Sequence, residues 1–174
     1  FQAANQSVQN MVSLTLDQKL GKINVEKEML RPGQITRLAI PAGKTDRDIL
    51  LSSIRQSYGG KITRLPITDD KDVIKYILHQ SALFKFLADK ALVAAAAAPA
   101  PAPDLSKLTL EDLVKDPEVS TWAVNIAYVP ESATVAEAKA KMEGQAGCQD
   151  LIVTKTGSKT EPILGWMTNV DIGR

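Results

Sequence analysis

Apolar positions along the chain follow two different periods. Arg64-Leu65-Pro66-Ile67-Thr68 and Asp150-Leu151-Ile152-Val153-Thr154 are short apolar runs of the strand type. Ile49, Leu50, Ile54 and Tyr58 recur at helical spacing, which predicts a helix from Asp46 towards Tyr58; Val135, Ala138 and Met142 predict another. Both helical patterns stop at glycine, Gly59-Gly60 in one case and Gly144 or Gly147 in the other, as helix C-termini do.

The two sets of elements are copies of one unit. Ile40-Pro41 leads to Thr45-x-x-Asp48 with the layout in which Val129-Pro130 leads to Thr134-x-x-Glu137, and in each copy the Thr-x-x-acid step is a capping box at a helix start. Each strand after the helix enters a polar turn (Asp69 to Asp72; Lys155 to Glu161). A second strand follows (Val73 to Leu78; Ile163 to Met167), then a helix. The order per copy is strand, helix, strand, strand, helix. Residues 21–90 form the first copy and 108–174 the second. Between them, 91–107 holds the alanine and proline tract Ala94 to Pro103, read as a semi-extended linker. Residues 1–20, with Val8, Met11, Val12 and Leu16, predict a helix packed on the repeats. A copy of this size buries little by itself. The predicted fold is therefore α/β of the α+β kind, with two pseudo-symmetric β-α-β-β-α repeats packed through their sheets.

Composition narrows the partners. The 174 residues are 44% hydrophobic and 24% charged, and 21 basic against 20 acidic side chains leave a net charge of +1. That balance gives no electrostatic case for nucleic acid or an anionic membrane surface. Cys148 is the single cysteine, which excludes an intrachain disulfide and a cysteine metal site and suits a reducing, cytoplasmic setting. The longest apolar run, Ala91 to Ala98, is broken by Pro99, Pro101 and Pro103 and falls short of the about 20 residues a membrane helix needs. No direct membrane insertion is expected. A start at Phe1 rather than Met is what an excised piece of a larger protein would show.

Candidate chemistry concentrates at the end of the chain. Pro162-Ile163-Leu164 leads into Gly165-Trp166-Met167-Thr168-Asn169-Val170-Asp171, a strand feeding a helix start. Thr168 and Asp171 have the spacing at which an N-cap hydroxyl and an N3 carboxylate sit over the exposed amides of a first turn. Such a turn caps a helix, and it can also hold a polar ligand. Gly165 has two readings as well, close ligand approach or tight packing in a strand.

The repeat layout, the Arg64-Leu65-Pro66-Ile67-Thr68 strand and the final Gly165-x-x-Thr168-x-x-Asp171 motif resemble a tandem pair of CBS (cystathionine beta-synthase type) domains, a Bateman module, over roughly Val25 to the end. The resemblance implies an adenosine-containing ligand: AMP, ADP, ATP, adenosine or S-adenosylmethionine. In the family the carboxylate of this motif accepts from the ribose hydroxyls, and its hydroxyl residue meets phosphate. The implied ligand-binding residues are Thr168, Asp171, Gly165 and Asn169 in the motif, Ala127 and Tyr128 beside the adenine, and Arg64 as a basic residue that reaches phosphate. A carboxylate facing two vicinal hydroxyls is a charge-assisted pairing, stronger than a neutral one.

The first copy departs from the motif. Alignment of Val73-Ile74-Lys75 with Ile163-Leu164-Gly165 puts Lys75, Leu78 and Ser81 at the three signature positions, so this half is expected to be a structural partner without a ribose site. Asp150 stands where the first copy has Arg64, and a carboxylate beside phosphate is unfavourable. The intact site is expected to favour a ligand of low negative charge, such as adenosine or the adenosyl part of S-adenosylmethionine, unless Arg64 reaches it from the first copy.

Other residues read as structure. Trp166 and Trp122 are expected in the core, His79 at the surface or capped, and Cys148 as an inert small side chain. No metal is implied, and no nucleophile-base or paired-carboxylate arrangement can be assembled, which excludes an enzyme from the reading. The resulting expectation is a homodimeric regulatory module whose second repeat binds an adenosyl ligand and signals occupancy to an attached or partner protein. The rival is a ligand-free CBS pair serving as a dimerisation or docking scaffold. The chain's end at Ile172-Gly173-Arg174 favours that rival, because the helix that would hold a phosphate is barely begun.

Overall fold

A computed structural model describes residues 18–96 and 104–172. These divide into two compact units that interleave along the chain: a central unit, 33–126, and a terminal unit built from 18–32 and 127–172. The contiguous repeats of the sequence are grouped differently in space.

In the central unit, β1 (Leu38–Ala39), α1 (Leu51–Ser57), β2 (Arg64–Thr68), β3 (Ile74–His79) and α2 (Gln80–Ala96) follow the predicted order, and two short helices, α3 (Leu110–Val114) and α4 (Pro117–Ala123), complete it. The sheet order is β1-β2-β3, with β1 parallel and β3 antiparallel to β2. In the terminal unit, β4 (Ile126–Pro130, starting at the unit boundary), α5 (Val135–Glu143), β5 (Asp150–Thr154), β6 (Gly165–Thr168) and α6 (Asn169–Ile172) repeat that order, with sheet order β4-β5-β6.

The helix expected from Asp46 is two pieces. Asp46–Asp48 is a single 3-10 turn capped by Thr45, Ile49 and Leu50 are extended, and α1 begins at Leu51. The break has a tertiary cause. The Leu110 amide donates to the Ile49 carbonyl at 2.7 Å and the Leu51 amide donates to the Leu108 carbonyl at 2.9 Å, so cross-chain bonds replace the helical ladder here. Leu50 is consequently 41% exposed, while Leu51, Ile54 and Tyr58 face the core.

The alanine tract also differs from its reading. α2 runs on through Ala96, so the segment from Ala91 to Ala96 is helix rather than semi-extended linker. Alanine is the strongest helix former, and no proline occurs between Gln80 and Pro99. Residues 97–103 lie outside the described residues, as does most of the expected N-terminal helix, of which 18–20 are helical.

Interleaving is visible in the cores. Leu110, Leu113, Val119 and Ala123, assigned by the repeat to the second copy, pack with Leu51, Ile54, Tyr58, Leu65, Ile67, Leu78 and Leu83 of the first. Each such leucine, isoleucine or valine contributes on the order of 1.5–3 kcal/mol through burial. Leu20, Val25 and Met29 conversely join the core made by Val129, Val135, Ala138, Met142, Leu151, Val153, Met167 and Ile172. Backbone bonds fix that segment: Val25 donates to Ala133 at 3.0 Å, and Leu30 and Trp166 exchange bonds of 2.9 and 3.0 Å. Trp122 is 49% exposed rather than core, because α4 turns Val119 and Ala123 inward.

Candidate functional site

The β6–α6 junction brings the motif residues together. Thr168 ends β6 and α6 starts at Asn169. The Thr168 amide and hydroxyl both donate to Asp171 Oδ2, at 2.8 and 2.7 Å. Among the described residues nothing is seen to donate to Asp171 Oδ1. The Asn169 amide donates to the Gln149 carbonyl at 3.0 Å, which ties the helix start to the chain leading into β5.

This pattern recurs at plain helix caps. Thr109 donates to Asp112 Oδ2 from its amide at 2.9 Å and its hydroxyl at 2.8 Å, and Thr134 donates to Glu137 Oε2 at 2.7 and 3.0 Å. The Thr168–Asp171 geometry therefore includes the capping function. One carboxylate oxygen is consumed by the turn, and the other is left for a hydroxyl or amide donor.

Gly165 is explained by packing. A Cβ built there would lie 2.0 Å from Met29 Sδ and 2.6 Å from its Cγ, and Gly165 shares its sheet face with the core residues Met167 and Val153. Tight packing, the second of its two readings, thus accounts for the missing side chain without a ligand.

Asp150 faces Thr168 across the β5–β6 pair. Its carboxylate is buried and accepts from the Trp166 indole, Nε1 to Oδ1 3.1 Å, so Trp166 is both core and hydrogen-bond donor. Ala127 is buried within the core, and Tyr128 beside it is half-buried, its phenol pushed up to about 12 by burial. Both are on β4, at the opposite edge of the three-stranded sheet from β6. Arg64 opens β2 and belongs to the central unit.

Strand register corrects the alignment of the first copy. β2 pairs Arg64 with His79 and Ile67 with Tyr76, while β5 pairs Asp150 with Thr168 and Val153 with Gly165. The counterparts of Gly165, Thr168 and Asp171 are thus Tyr76, His79 and Ala82, one residue on from Lys75, Leu78 and Ser81. The β-bulge between Ile67 and Thr68 shifts the pairing, and an alignment of apolar residues cannot see it. Tyr76 is anchored by donating to Asp46 Oδ2 at 2.8 Å while Lys75 Nζ meets Asp46 Oδ1 at 2.6 Å. Burial and Asp46 together push the Tyr76 phenol up to about 12.

A cavity of about 160 Å³ lies beside the motif turn, lined by Lys139, Met142 and Glu143 of α5, by Cys148, and by Asn169 and Ile172 of α6. Of these only Asn169 was a candidate, since a space between two helices leaves no pattern in the sequence. Burial raises the pKa of the Cys148 thiol, and its Sγ donates to the Asp150 carbonyl at 3.3 Å. Among the described residues no cluster of three His, Cys, Asp or Glu side chains could hold a metal ion, and no helix is long and apolar enough to cross a membrane.

No protein-family model matches the sequence, and no curated protein matches it. Solved structures do. The CBS domain of a bacterial CNNM/CorC family Mg2+ transporter, in complex with ATP, is similar at 14% identity and a TM-score of 0.61, covering 94% of each chain. A protein domain from Neisseria meningitidis MC58 is similar at 16% identity and a TM-score of 0.58, over 98% of this chain and 92% of that one. A putative acetoin utilization protein (AcuB) from Vibrio cholerae gives 18% identity and a TM-score of 0.53 over 87% of each. The chain has the α+β fold of a CBS domain pair.

Proposed function

We propose that this chain is a regulatory CBS module that binds an adenosine-containing ligand at its second repeat and passes occupancy to an attached or partner protein. The supporting observation is the Thr168–Asp171 turn, a half-buried carboxylate with one oxygen uncommitted, on a fold that the transporter relative uses in complex with ATP. Asp171 Oδ1 accepts from a ribose hydroxyl, and Asn169 borders the same turn. Asp150 opposite Thr168 disfavours phosphate at this strand end and favours a nucleoside or S-adenosylmethionine there. The module works as a cytoplasmic homodimer, and the ligand acts by binding one arrangement of it better than another; equal affinity for both would shift nothing.

Thermal melting of the purified chain against AMP, ADP, ATP, adenosine and S-adenosylmethionine, with Asp171→Ala beside the parent, tests this. A ligand at 100 times its dissociation constant stabilises by roughly 2.7 kcal/mol. One adenosyl ligand is expected to raise the parent's midpoint and leave that of Asp171→Ala unmoved. The scaffold reading is favoured by the likeness of this turn to the Thr109 and Thr134 caps, and it takes over if no ligand moves the parent.

A further inference from the structure

The two units repeat one order of elements but fill one corner of their cores differently. The Gln80 amide donates to the Thr63 carbonyl at 2.8 Å, and the Asn169 amide donates to the Gln149 carbonyl at 3.0 Å. This shared bond and the strand register make Ile62 and Leu83 the counterparts of Cys148 and Ile172. On the preceding helices, Leu51, Ile54 and Tyr58 are buried at the same spacing as Val135, Ala138 and Met142, so Tyr58 corresponds to Met142. Tyr58, Ile62 and Leu83 pack in one core, and Met142, Cys148 and Ile172 in the other.

The exchange removes volume at this corner. A phenol ring gives way to an unbranched thioether, and the branched side chain of an isoleucine to a thiol. Tyr58 is almost wholly buried, and its hydroxyl donates to the Leu78 carbonyl at 2.9 Å. The corresponding corner of the terminal unit is the cavity of about 160 Å³ between α5 and α6. Met142 and Ile172 are its buried floor, Cys148 a half-buried wall, and Lys139, Glu143 and Asn169 stand at its mouth. An apolar cavity of about 150 Å³ accepts benzene. Aromatic rings also make favourable contacts with sulfur, which both Met142 and Cys148 bring to this lining. Lys139 and Glu143 carry one charge of each sign, which favours neither an anion nor a cation, and the Asn169 side chain has both a donor and an acceptor.

We infer that the α5–α6 cavity is a binding site for a small neutral aromatic molecule of the phenol class, whose ring takes the place that Tyr58 fills in the central unit. The ring lies against Met142, Cys148 and Ile172, and its hydroxyl stays at the polar mouth beside Asn169. Asn169 and Ile172 belong to the same short helix as Asp171, so the occupant bears on the motif turn from the helical side. The second repeat thereby gains a further small-molecule input, which does not depend on adenosyl binding at Asp171.

Cys148 is the single cysteine of the chain, so its alkylation reports on this cavity alone. The full chain is treated with iodoacetamide at fixed pH with phenol, with benzoate or with neither, and methionine methyl signals are followed by NMR in parallel titrations. At about ten times its dissociation constant phenol leaves roughly a tenth of the cavities open, so alkylation is expected to slow about tenfold. The Met142 methyl is expected to shift saturably and by more than those of Met29 and Met167, and benzoate to protect far less well than phenol. Met142→Tyr, which supplies the ring from the chain itself, is expected to be alkylated slowly and at a rate indifferent to phenol. No saturable protection, equal shifts of the three methyls, benzoate as effective as phenol, or phenol protection retained in Met142→Tyr overturns the inference. Should Met142→Tyr not fold, Cys148→Ile serves as the reading: loss of the Met142 response to phenol supports the site, and an undiminished response overturns it. Asp171→Ala is expected to keep the protection by phenol, so failure of the adenosyl reading and failure of this one are separately visible.

Discussion

The β2–β3 and β5–β6 hairpins enter their loops from a buried threonine at the same register position, Thr68 in one and Thr154 in the other, and put them to different use. Thr154 Oγ1 accepts from the Gly157 amide at 3.0 Å and donates to the Ser158 carbonyl at 3.1 Å, pinning a long loop. The first loop is shorter and is closed by Asp69, whose Oδ1 accepts from the Lys71 and Val73 amides at 2.9 Å each. Thr68 Oγ1 is left buried with no hydrogen-bond partner among the described residues. The same division runs to the other strand end, where one hairpin carries Arg64 and His79 and the other Asp150 and Thr168. A duplicated backbone thus keeps its strand order while loop length and edge residues decide which polar groups have work.

The largest test concerns the interleaving of the units. Leu113→Ala removes a fully buried side chain of the central core, and a loss of about 2–5 kcal/mol is expected in urea unfolding. A near-neutral result would mean that α3 does not complete that core. Next is Gly165→Ala, whose Cβ collides with Met29; about 1–3 kcal/mol is expected, with substantial recovery in the double variant Met29→Ala/Gly165→Ala. No recovery would remove Met29 as the reason for the glycine.

The threonines themselves give the sharper contrast. Thr154→Val orphans the Gly157 amide and the Ser158 carbonyl and is expected to lower stability by about 1–3 kcal/mol, whereas Thr68→Val loses no bond and is expected to be neutral or slightly stabilising. Equal midpoints for the two variants would erase the distinction between the hairpins.

The smallest effect is one the units should share. Hydrogen bonds from Thr45 and Thr109 hold Asp48 and Asp112 below the usual carboxylate range in the central unit, and bonds from Thr134 and Thr156 do the same for Glu137 and Glu161 in the terminal one. A depressed folded value means stability that is fully present above the unfolded pKa, about 4, and lost as pH falls through the folded one. The melting midpoint is expected to hold above about pH 5 and to drop below about pH 4. Glu137→Gln should flatten part of that drop; an unchanged slope would show that this cap carries none of it.

Much of the fold was legible in the chain. The strands Arg64–Thr68 and Asp150–Thr154 match their apolar runs end to end, the Thr-x-x-acid steps at 45, 109 and 134 each form the reciprocal turn that spacing allows, and at 168 the threonine amide and hydroxyl both donate to Asp171. The candidate site was legible as residues and not as reasons. Thr168, Asn169 and Asp171 do share one turn, but the reason for Gly165 is Met29, more than a hundred residues away. Periodicity also ran through Ile49 and Leu50, where the bonds to 108–110 interrupt the helix.

What the sequence determined by itself is local and repeated: element order, caps, glycine stops and the duplication, all set by bonds and periodicities spanning a few residues. Tertiary structure alone decided that 104–126 complete the first core and 20–30 the second, that Trp122 faces outward, and that His79 rather than Leu78 stands opposite Arg64. These depend on strand register and on which apolar faces meet. A single bulge moves the register by one residue, and burial energy favours any partner that covers an apolar face, whatever its distance along the chain.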